Sequence, residues 1–341
     1  MKKMRILLTV ILVVLCVFSA TAQNDGTIVE KMPCAMNTVG TFEQYVEAAK
    51  KRYADEVESA KQEGFTMKTP VNFTASLLDK KEFERRKAYK GFECQRIKYS
   101  SDGLKVVGYI WKPKKTNGRR LPLIIFNRGG NREFGKLTPW MREGFYYFLE
   151  QGFVVIASQY RGNDGGEGKE EFGGADVRDV LNLVPLAQSL GYVDMNNVFM
   201  WGHSRGGMMT YLALKNNIAV NAAAVSSGLA DMIAGGKNRP DLVKGVYAEL
   251  MPGFDKRPEE LMRERSATYF ANQINTPLLI LQGNADWRAD TGNQALALVQ
   301  KLQEFGKTYE LMVYSGDDHA LSLNRADRDK RIVEWFKKYM K

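Results

Sequence analysis

A serine set between two glycines is the residue of this chain best suited to do chemistry. Ser204 is the centre of the pentapeptide Gly202-His203-Ser204-Arg205-Gly206, and the 341 residues include only two histidines. A serine hydroxyl becomes a useful nucleophile when a positioned base takes its proton during attack on a carbonyl. Glycines two residues to either side let a strand turn sharply into a helix and expose the hydroxyl at the apex. The pentapeptide therefore predicts a nucleophilic serine.

The segments around Ser204 have the composition that such a turn requires. Residues 198–201 are a short apolar run typical of a strand, and residues 207–215 have the composition of a buried helix. His203 lies inside the motif, where a side chain usually packs beneath the turn or lines the pocket, so we interpret it as structural. His319 is then the base that remains for Ser204.

The acid that would orient the histidine is predicted at Asp286. Residues 276–283 form an apolar run that ends in glycine, and Asp286 follows on the next loop. A carboxylate there could bind the imidazole and stabilise its protonated form. Asp290, Asp317 and Asp318 are rivals, although Asp290 is better placed to cap the following helix. The chain order serine, aspartate, histidine is that of α/β-hydrolases.

Backbone donors for a developing oxyanion are expected in two places. One is the N–H of Arg205, directly after the serine. The other lies in the loop over residues 127–131, in which Gly129, Gly130 and Asn131 follow the first central strand. Paired glycines let a backbone approach a ligand closely, although they also suit a plain tight turn. We assign the oxyanion hole to these residues.

Four arginines are predicted at the carboxyl edge of the sheet, where ligands bind in open α/β sheets. They are Arg128, Arg161, Arg205 and Arg288. Their guanidinium groups could bind a carbonyl or carboxylate of a substrate. A structural ion pair with Asp164, Asp286 or Asp290 is at least as good an interpretation of each one.

The alternation of elements predicts an α/β fold with a mostly parallel, doubly wound sheet. The expected strands cover residues 121–126, 153–158, 198–201, 222–225, 278–281 and 310–314. Before them, residues 92–99 and 104–111 are strand-like runs joined by a turn that contains Asp102-Gly103, a strong hairpin signal. Residues 230–274 interrupt the alternation with glycine, proline and mixed charge, as a lid or pocket wall would.

The first 22 residues have the composition of an export signal. Basic residues within positions 1–5 precede an apolar run of 15 residues, and small residues up to Ala22 form a cleavage site. The run is shorter than the roughly 20 residues that a membrane-spanning helix needs. We therefore expect cleavage near Ala22 and a periplasmic or extracellular protein without stable membrane insertion.

The rest of the chain is expected to hold a helical extension, residues 23–90, and one catalytic domain, residues 91–341. A capping box that starts at Thr41 begins a helix predicted over residues 41–63. The aromatic stripe of this helix suits a docking face on the catalytic domain. A second, solvated helix is predicted over residues 80–86.

Charge and composition exclude some classes of protein but do not decide whether the two remaining cysteines form a disulfide. The formal net charge of +10 is scattered, with three basic residues in the leader, and no nucleic-acid-binding motif accompanies it.

The only cysteines after the leader are Cys34 and Cys94. They could form a disulfide in an oxidising compartment, but two free thiols are about as compatible with the sequence. No metal, organic cofactor or nucleic-acid partner is implied, and nothing indicates the oligomeric state.

From about Gly108 to the C-terminus the sequence resembles the catalytic domain of the prolyl oligopeptidase family of serine peptidases. The motifs that carry this resemblance are residues 160–168, 173–180, 202–207, 263–266, 283–288 and 316–319. The family pattern implies an α/β-hydrolase fold and places the serine, aspartate and histidine on Ser204, Asp286 and His319. Trp287, in the fifth motif, is a further candidate for contact with substrate.

Departures from the family pattern bear on the substrate. About 85 residues separate the leader from the resembling region, too few for the β-propeller of the large family members. Arg205 replaces the usual tyrosine, and the loop at residues 127–131 lacks the familiar His-Gly-Gly start. Three hypotheses follow: a peptidase for short peptides, a carboxylesterase for acyl or feruloyl esters of glycans or small molecules, and a non-catalytic binding protein. The complete triad disfavours the third.

Overall fold

The computed structural model describes residues 24–34, 40–65, 76–139 and 142–341. The expected leader and its cleavage site at Ala22 lie outside these residues. Within them, no helix combines the length and the apolar composition that crossing a bilayer would need.

Nine strands form a single sheet at the centre of the described structure. In chain order they are β1 (Ile28–Pro33), β2 (Phe92–Ser101), β3 (Leu104–Pro113), β4 (Leu121–Asn127), β5 (Val154–Ser158), β6 (Val193–His203), β7 (Ala222–Ser226), β8 (Leu278–Gly283) and β9 (Tyr309–Tyr314). Their order across the sheet is β1-β2-β3-β5-β4-β6-β7-β8-β9. The pairs from β1 to β5 are antiparallel, and every pair from β5 to β9 is parallel. All six strands predicted for the parallel part are present.

Helices pack on both faces of the sheet. They are α1 (Phe42–Gln62), α2 (Lys80–Ala88), α3 (Arg142–Glu150), α4 (Val177–Leu181), α5 (Leu183–Ser189), α6 (Arg205–Lys215), α7 (Met232–Asn238), α8 (Pro240–Leu242), α9 (Ala248–Leu250), α10 (Pro258–Glu264), α11 (Ala267–Phe270), α12 (Ala297–Glu304) and α13 (Arg325–Lys338). Two π-helical turns, Val243–Tyr247 and Gly292–Leu296, and a 3-10 turn, Ala271–Gln273, join some of them. Helices α1 and α2 lie between β1 and β2, α13 follows β9, and the others connect the parallel strands. The predicted α/β-hydrolase fold is confirmed.

The central strands are buried on both faces. Successive residues of β4 alternate between two apolar clusters, with Leu123 and Ile125 in one and Ile124 and Phe126 in the other. Every residue of β7 and β8 is buried. Strands covered on both faces have nearly continuous apolar sequences, which is why these were easy to predict.

The antiparallel edge of the sheet contains one expected feature and one that the sequence did not reveal. β2 and β3 form the predicted hairpin, and Asp102 (φ 52°) and Gly103 (φ 78°) occupy the left-handed region that its tight turn requires. β1 pairs antiparallel with β2. Its residues are half-buried or exposed and show no apolar alternation. The extension expected to be helical therefore also contributes a strand to the sheet.

The predicted helix of the extension is confirmed and begins at its capping box. The hydroxyl of Thr41 accepts from the N–H of Gln44, and the Gln44 side chain accepts from the N–H of Thr41. Phe42 and Tyr45 contact Phe83 of α2, with ring centroids 5.6 and 5.2 Å away. Phe83 is buried. The prediction that α2 is solvated is therefore wrong for one face, because that face packs on the aromatic stripe of α1.

A disulfide joins Cys34 to Cys94, with their Cα atoms 5.4 Å apart. Cys34 follows β1 and Cys94 lies in β2, and the N–H of Cys34 also donates to the carbonyl of Cys94 at 3.0 Å. The bridge thus ties the end of the edge strand to the sheet. The sequence left this open because a separation of 60 positions along the chain does not report the distance between the cysteines in space.

Opening the Cys34–Cys94 bridge is expected to lower the free energy of unfolding by about 2–4 kcal/mol, because closing a long loop restricts the unfolded chain. Urea denaturation with and without reductant measures the effect. The double variant Cys34→Ala/Cys94→Ala is the control, and it should show the lower stability under both conditions. Equal midpoints for the unaltered protein in the two conditions would contradict the bridge.

Candidate active site

Ser204 lies on a sharp turn between β6 and α6. Its backbone has φ 57° and ψ −125°, and its N–H donates to the carbonyl of Ser226 at 3.0 Å. A Cβ on Gly202 would collide with the carbonyl of Gly206, and a Cβ on Gly206 would collide with that of Asn127. Both glycines are therefore required, because any larger residue would push the turn away from its neighbours.

Three side chains from three loops meet in one hydrogen-bonded line. The Nε2 of His319 lies 2.8 Å from the Oγ of Ser204, and its Nδ1 lies 2.8 Å from the Oδ2 of Asp286. The three residues follow β6, β8 and β9. Since the carboxyl ends of parallel strands meet at one edge of a sheet, these loops converge there. In this geometry His319 can take the proton of the serine hydroxyl while Asp286 orients the ring.

The carboxylate of Asp286 is buried and held by its own loop. Its Oδ1 accepts from the N–H groups of Arg288 and Ala289 at 2.8 and 2.9 Å. Its Oδ2 accepts from the side-chain amide of Gln282 at 3.0 Å and faces the histidine. These bonds fix the carboxylate and, through it, the orientation of the imidazole.

The three rival carboxylates bind backbone groups instead. Asp317 and Asp318 accept N–H groups of the loop that follows them. Asp290 accepts the N–H of Asn293 at 3.0 Å, as expected of a residue that caps a helical segment. Asp286 is thus the carboxylate that contacts the ring of His319.

His203 is partly buried and lines the cavity beside Ser204. Its Nδ1 lies 3.2 Å from the carbonyl oxygen of Ser226, and its ring centroid lies 5.1 Å from that of His319. Burial, reinforced by the charge of a protonated His319, holds the pKa of His203 well below its ordinary value of 6.5. The side chain is therefore neutral near pH 7.

Backbone N–H groups lie beside the serine where the sequence placed oxyanion donors. Arg205 is the first residue of α6, and the first N–H groups of a helix have no acceptor within it. Gly129, Gly130 and Asn131 line the same cavity as Ser204. A Cβ on Gly129 would lie 3.1 Å from the Cβ of Ser204, so this loop runs close to the hydroxyl. The arrangement suits stabilisation of an oxyanion.

Arg128 and Arg161, two of the four predicted arginines, bind groups of the protein itself. Arg128 is fully buried, and its guanidinium donates to the carbonyl of Gln159. Arg161 pairs with Asp102 and Asp179, at 2.8 Å each. Neither lines the cavity beside the serine in the described part of the chain. These contacts favour the structural interpretation of both arginines, although their partners, Gln159 for Arg128 and Asp102 and Asp179 for Arg161, are not the aspartates that the sequence suggested.

The guanidinium of Arg205 lies at the centre of a buried ionic cluster. It pairs with Glu170, and with Asp176 at 2.7 Å. Its Nη1 also donates to the carbonyl of Gly130 at 3.0 Å. The cluster therefore connects the helix that starts at the serine to the loop of the expected oxyanion donors. The sequence did not pair either acid with Arg205, although Asp176 lies in the motif of residues 173–180, because only the fold brings them together.

Acidic residues at the C-terminal half of α1 reach the site, and sequence reasoning missed them. Glu56 pairs with Arg288 at 2.6 Å and accepts from the indole N–H of Trp287 at 2.6 Å. Glu63, directly after α1, pairs with Arg239 at 2.7 Å. Arg288 lines the cavity, whereas Trp287 is buried in this contact and does not belong to the described lining. Helical spacing could have marked Glu56 and Glu63 as one face of α1, but the prediction rested on apolar residues alone.

A cavity of about 640 Å³ opens beside Ser204. This volume lies within the range of small-molecule sites. The extension supplies one part of the wall: Tyr45, Ala49, Arg52, Tyr53, Glu56 and Glu63. Arg239 and Val246, from the segment expected to form a lid or pocket wall, supply another part. Among the described residues, no group of three His, Cys, Asp or Glu side chains is arranged to hold a metal ion.

The fold and the hydrogen-bonded serine define a serine hydrolase of the α/β-hydrolase class. Residues 139–341 match the model of the prolyl oligopeptidase family. The chain is also 31% identical over 246 residues to the uncharacterized peptidase YtmA of Bacillus subtilis, covering 72% of this chain and 92% of that protein. The chain therefore belongs to the prolyl oligopeptidase family, which confirms the resemblance seen in the sequence.

Other relatives are longer than this chain. The acylamino-acid-releasing enzyme of Arabidopsis thaliana is 27% identical over 242 residues, which cover 67% of this chain and 31% of that protein. A solved structure of the acylaminoacyl peptidase of Pyrococcus horikoshii matches with a TM-score of 0.65 at 21% identity, over 78% of this chain and 44% of that one. The match thus spans less than half the length of these two relatives, and the structural likeness concerns the fold.

Replacing Arg205 by methionine is expected to destabilise the protein by about 3–5 kcal/mol, because Glu170 and Asp176 would lose the buried cation that offsets their charge. Urea denaturation at neutral pH measures the loss. The matched control is Arg263→Met, which breaks an exposed ion pair with Glu259 and should cost at most about 1 kcal/mol. Similar losses from the two substitutions would contradict the importance of the buried cluster.

Acidification is expected to weaken the fold through His203. Its pKa is lower in the folded state than the ordinary value of 6.5, so below that pH the unfolded chain binds a proton that the folded chain does not. The free energy of unfolding should then fall by up to about 1.4 kcal/mol per pH unit, with no contribution above that range. Urea denaturation from neutral pH to about pH 5 measures the slope. His203→Asn should make it shallower, and an unchanged slope would argue against a neutral buried histidine.

Proposed function

We propose that this serine hydrolase cleaves short peptides through an acyl-enzyme intermediate on Ser204. The observation that carries the proposal is the line of two 2.8 Å hydrogen bonds from Ser204 through His319 to Asp286 beside a cavity. Ser204 is the nucleophile, His319 the base and then the acid, and Asp286 the group that orients the imidazole and stabilises its charged form. The peptidases among the relatives support an amide substrate.

The reaction proceeds in two halves. The Oγ of Ser204 attacks the carbonyl carbon while its proton passes to Nε2 of His319, and the N–H groups of Arg205 and Gly130 stabilise the oxyanion. The C–N bond then breaks, His319 returns the proton to the departing amine, and the acyl group stays on the serine as an ester. A water molecule, deprotonated by the same histidine, hydrolyses this ester and restores the hydroxyl.

The extension completes the site in this proposal. Residues 91–341 form the catalytic domain, and residues 23–90 add α1 as a wall of its cavity. Support comes from the ion pairs of Glu56 with Arg288 and of Glu63 with Arg239, which hold α1 against the catalytic domain. A cavity of about 640 Å³ favours a short peptide over a folded protein.

Export is the remaining part of the proposal. The chain is secreted into the periplasm or the medium with removal of residues 1–22. The supporting observation is the Cys34–Cys94 disulfide, because such bonds persist in oxidising compartments and are rare in the cytosol.

Asp286→Asn is expected to lower kcat by about 10³–10⁴-fold with a smaller effect on KM, because an amide neither holds the required tautomer nor stabilises the imidazolium. Steady-state hydrolysis of a chromogenic peptide anilide measures kcat and KM. Asp290→Asn is the matched control on the same loop and should retain activity. A comparable loss in that control would contradict the role of Asp286.

A substrate panel tests the proposed function as a whole. Fluorophosphonate should label Ser204, with Ser204→Ala as the unlabelled control, and aminoacyl or dipeptidyl anilides should be cleaved. Cleavage of short-chain acyl or feruloyl esters without any anilide would replace the peptidase with a carboxylesterase. Folded protein that is not labelled would point to a binding protein on the same scaffold.

A further inference from the structure

Two arginines of the cavity wall have no ion-pair or hydrogen-bond partner in the part of the chain that the structure describes. The arginines that line the cavity are Arg52, Arg205, Arg239, Arg288 and Arg325. Three of these form the ion pairs with glutamate or aspartate described above. The guanidinium groups of Arg52 and Arg325 have no ion-pair or hydrogen-bond partner among residues 24–34, 40–65, 76–139 and 142–341. The wall therefore offers two uncompensated positive charges to a ligand.

The position of Arg325 is electrostatically unfavourable for the folded protein. It is partly buried and is the first residue of α13, where the positive end of the helix repels a cation. Arg328, one turn further along, repels it as well and engages Asp329 at 2.6 Å. Burial and this repulsion lower the pKa of Arg325. Asp329 attracts the guanidinium but does not offset burial and repulsion, and no side chain among the described residues forms an ion pair or hydrogen bond with it. The position therefore suits an anion that arrives with a ligand.

The acids of the wall do not neutralise these two arginines. Glu56 and Glu63 are engaged by other arginines. Asp318 accepts backbone N–H groups from its own loop. Asp241 is exposed to solvent, where its charge is screened by water.

The connection between His319 and Arg325 indicates which part of a substrate meets the arginine. Both belong to the segment between β9 and α13, and residues 318–320, 322 and 325 all line the cavity. In the proposed mechanism His319 returns its proton to the departing amine, so the leaving group must lie against this segment. An anion on the leaving group would therefore come within reach of Arg325.

We propose that Arg325, assisted by Arg52 from α1, binds the free C-terminal carboxylate of a short peptide on the leaving-group side of the scissile bond. Guanidinium groups match the planar carboxylate and bind it through charge-assisted hydrogen bonds. The substrate class is thus short peptides with an unblocked C-terminus, from which an amino acid or a dipeptide is released. This inference rests on the proposed function, since the direction of the substrate follows from the role of His319.

Binding to the inactive variant Ser204→Ala tests the inference without turnover. The probes are N-acetyl-trialanine with a free carboxylate and the same peptide as its C-terminal amide, and calorimetry measures both Kd values. The peptide with the free carboxylate should bind about 10- to 100-fold more tightly than its amide, the range expected for hydrogen bonds to a charged group. Adding Arg325→Gln should reduce this ratio to near one, and Arg52→Gln should reduce it in part.

Two further variants separate binding from folding. Arg331→Gln lies on the same helix, outside the cavity, and should keep the full ratio. Arg325→Lys should keep part of it, because the charge remains and the forked geometry is lost. Equal affinity for acid and amide in the parent protein, no binding of either peptide, or a ratio unchanged by Arg325→Gln would overturn the inference. Absence of fluorophosphonate labelling would overturn the acyl-enzyme mechanism instead, while the ratio of affinities would still be measured.

Discussion

The backbone turn at Ser204 is the constraint on which the rest of the site depends. A φ of 57° at a non-glycine residue costs of order 1–3 kcal/mol. The bond from its N–H to Ser226 and the tight contacts at Gly202 and Gly206 hold it in place. Because the turn ends β6 and starts α6 at once, the hydroxyl and the first free N–H of the helix lie together. Nucleophile and anion donor are thus set by one local geometry.

Buried charge then connects this turn to its surroundings. Arg205 lies between two acids and also donates to the carbonyl of Gly130, so its side chain joins the helix to the neighbouring loop. Arg128 and Arg161 serve packing in the same way, through carbonyl oxygens or acids beneath the carboxyl edge of the sheet. The edge of the sheet therefore contains the buried structural arginines Arg128, Arg161 and Arg205 beside the less buried Arg239 and Arg288 of the cavity wall.

The extension is part of the site as well as part of the fold. β1 adds to the sheet, the disulfide fixes its end, and α1 lines the cavity through its acidic and aromatic residues. The family match begins at residue 139, so these contributions lie before the region shared with the family model. The wall that α1 adds to the cavity therefore lies outside the residues that match the family model.

Local patterns in the sequence determined the turn at Ser204, the hairpin at Asp102, the capping box at Thr41 and the buried parallel strands. Each depends on residues within a few positions of one another, or on apolar runs whose burial the sheet requires. Partners distant in the chain were decided only by the tertiary structure: Cys34 with Cys94, Glu56 with Arg288, Asp176 with Arg205, and the edge strand β1. The physical reason is that ion pairs, disulfides and edge pairing depend on distances in space, which sequence spacing does not report. The charge of Arg325, which forms no ion pair within the described residues, was likewise decided by the tertiary structure, because its neighbours come from other parts of the chain.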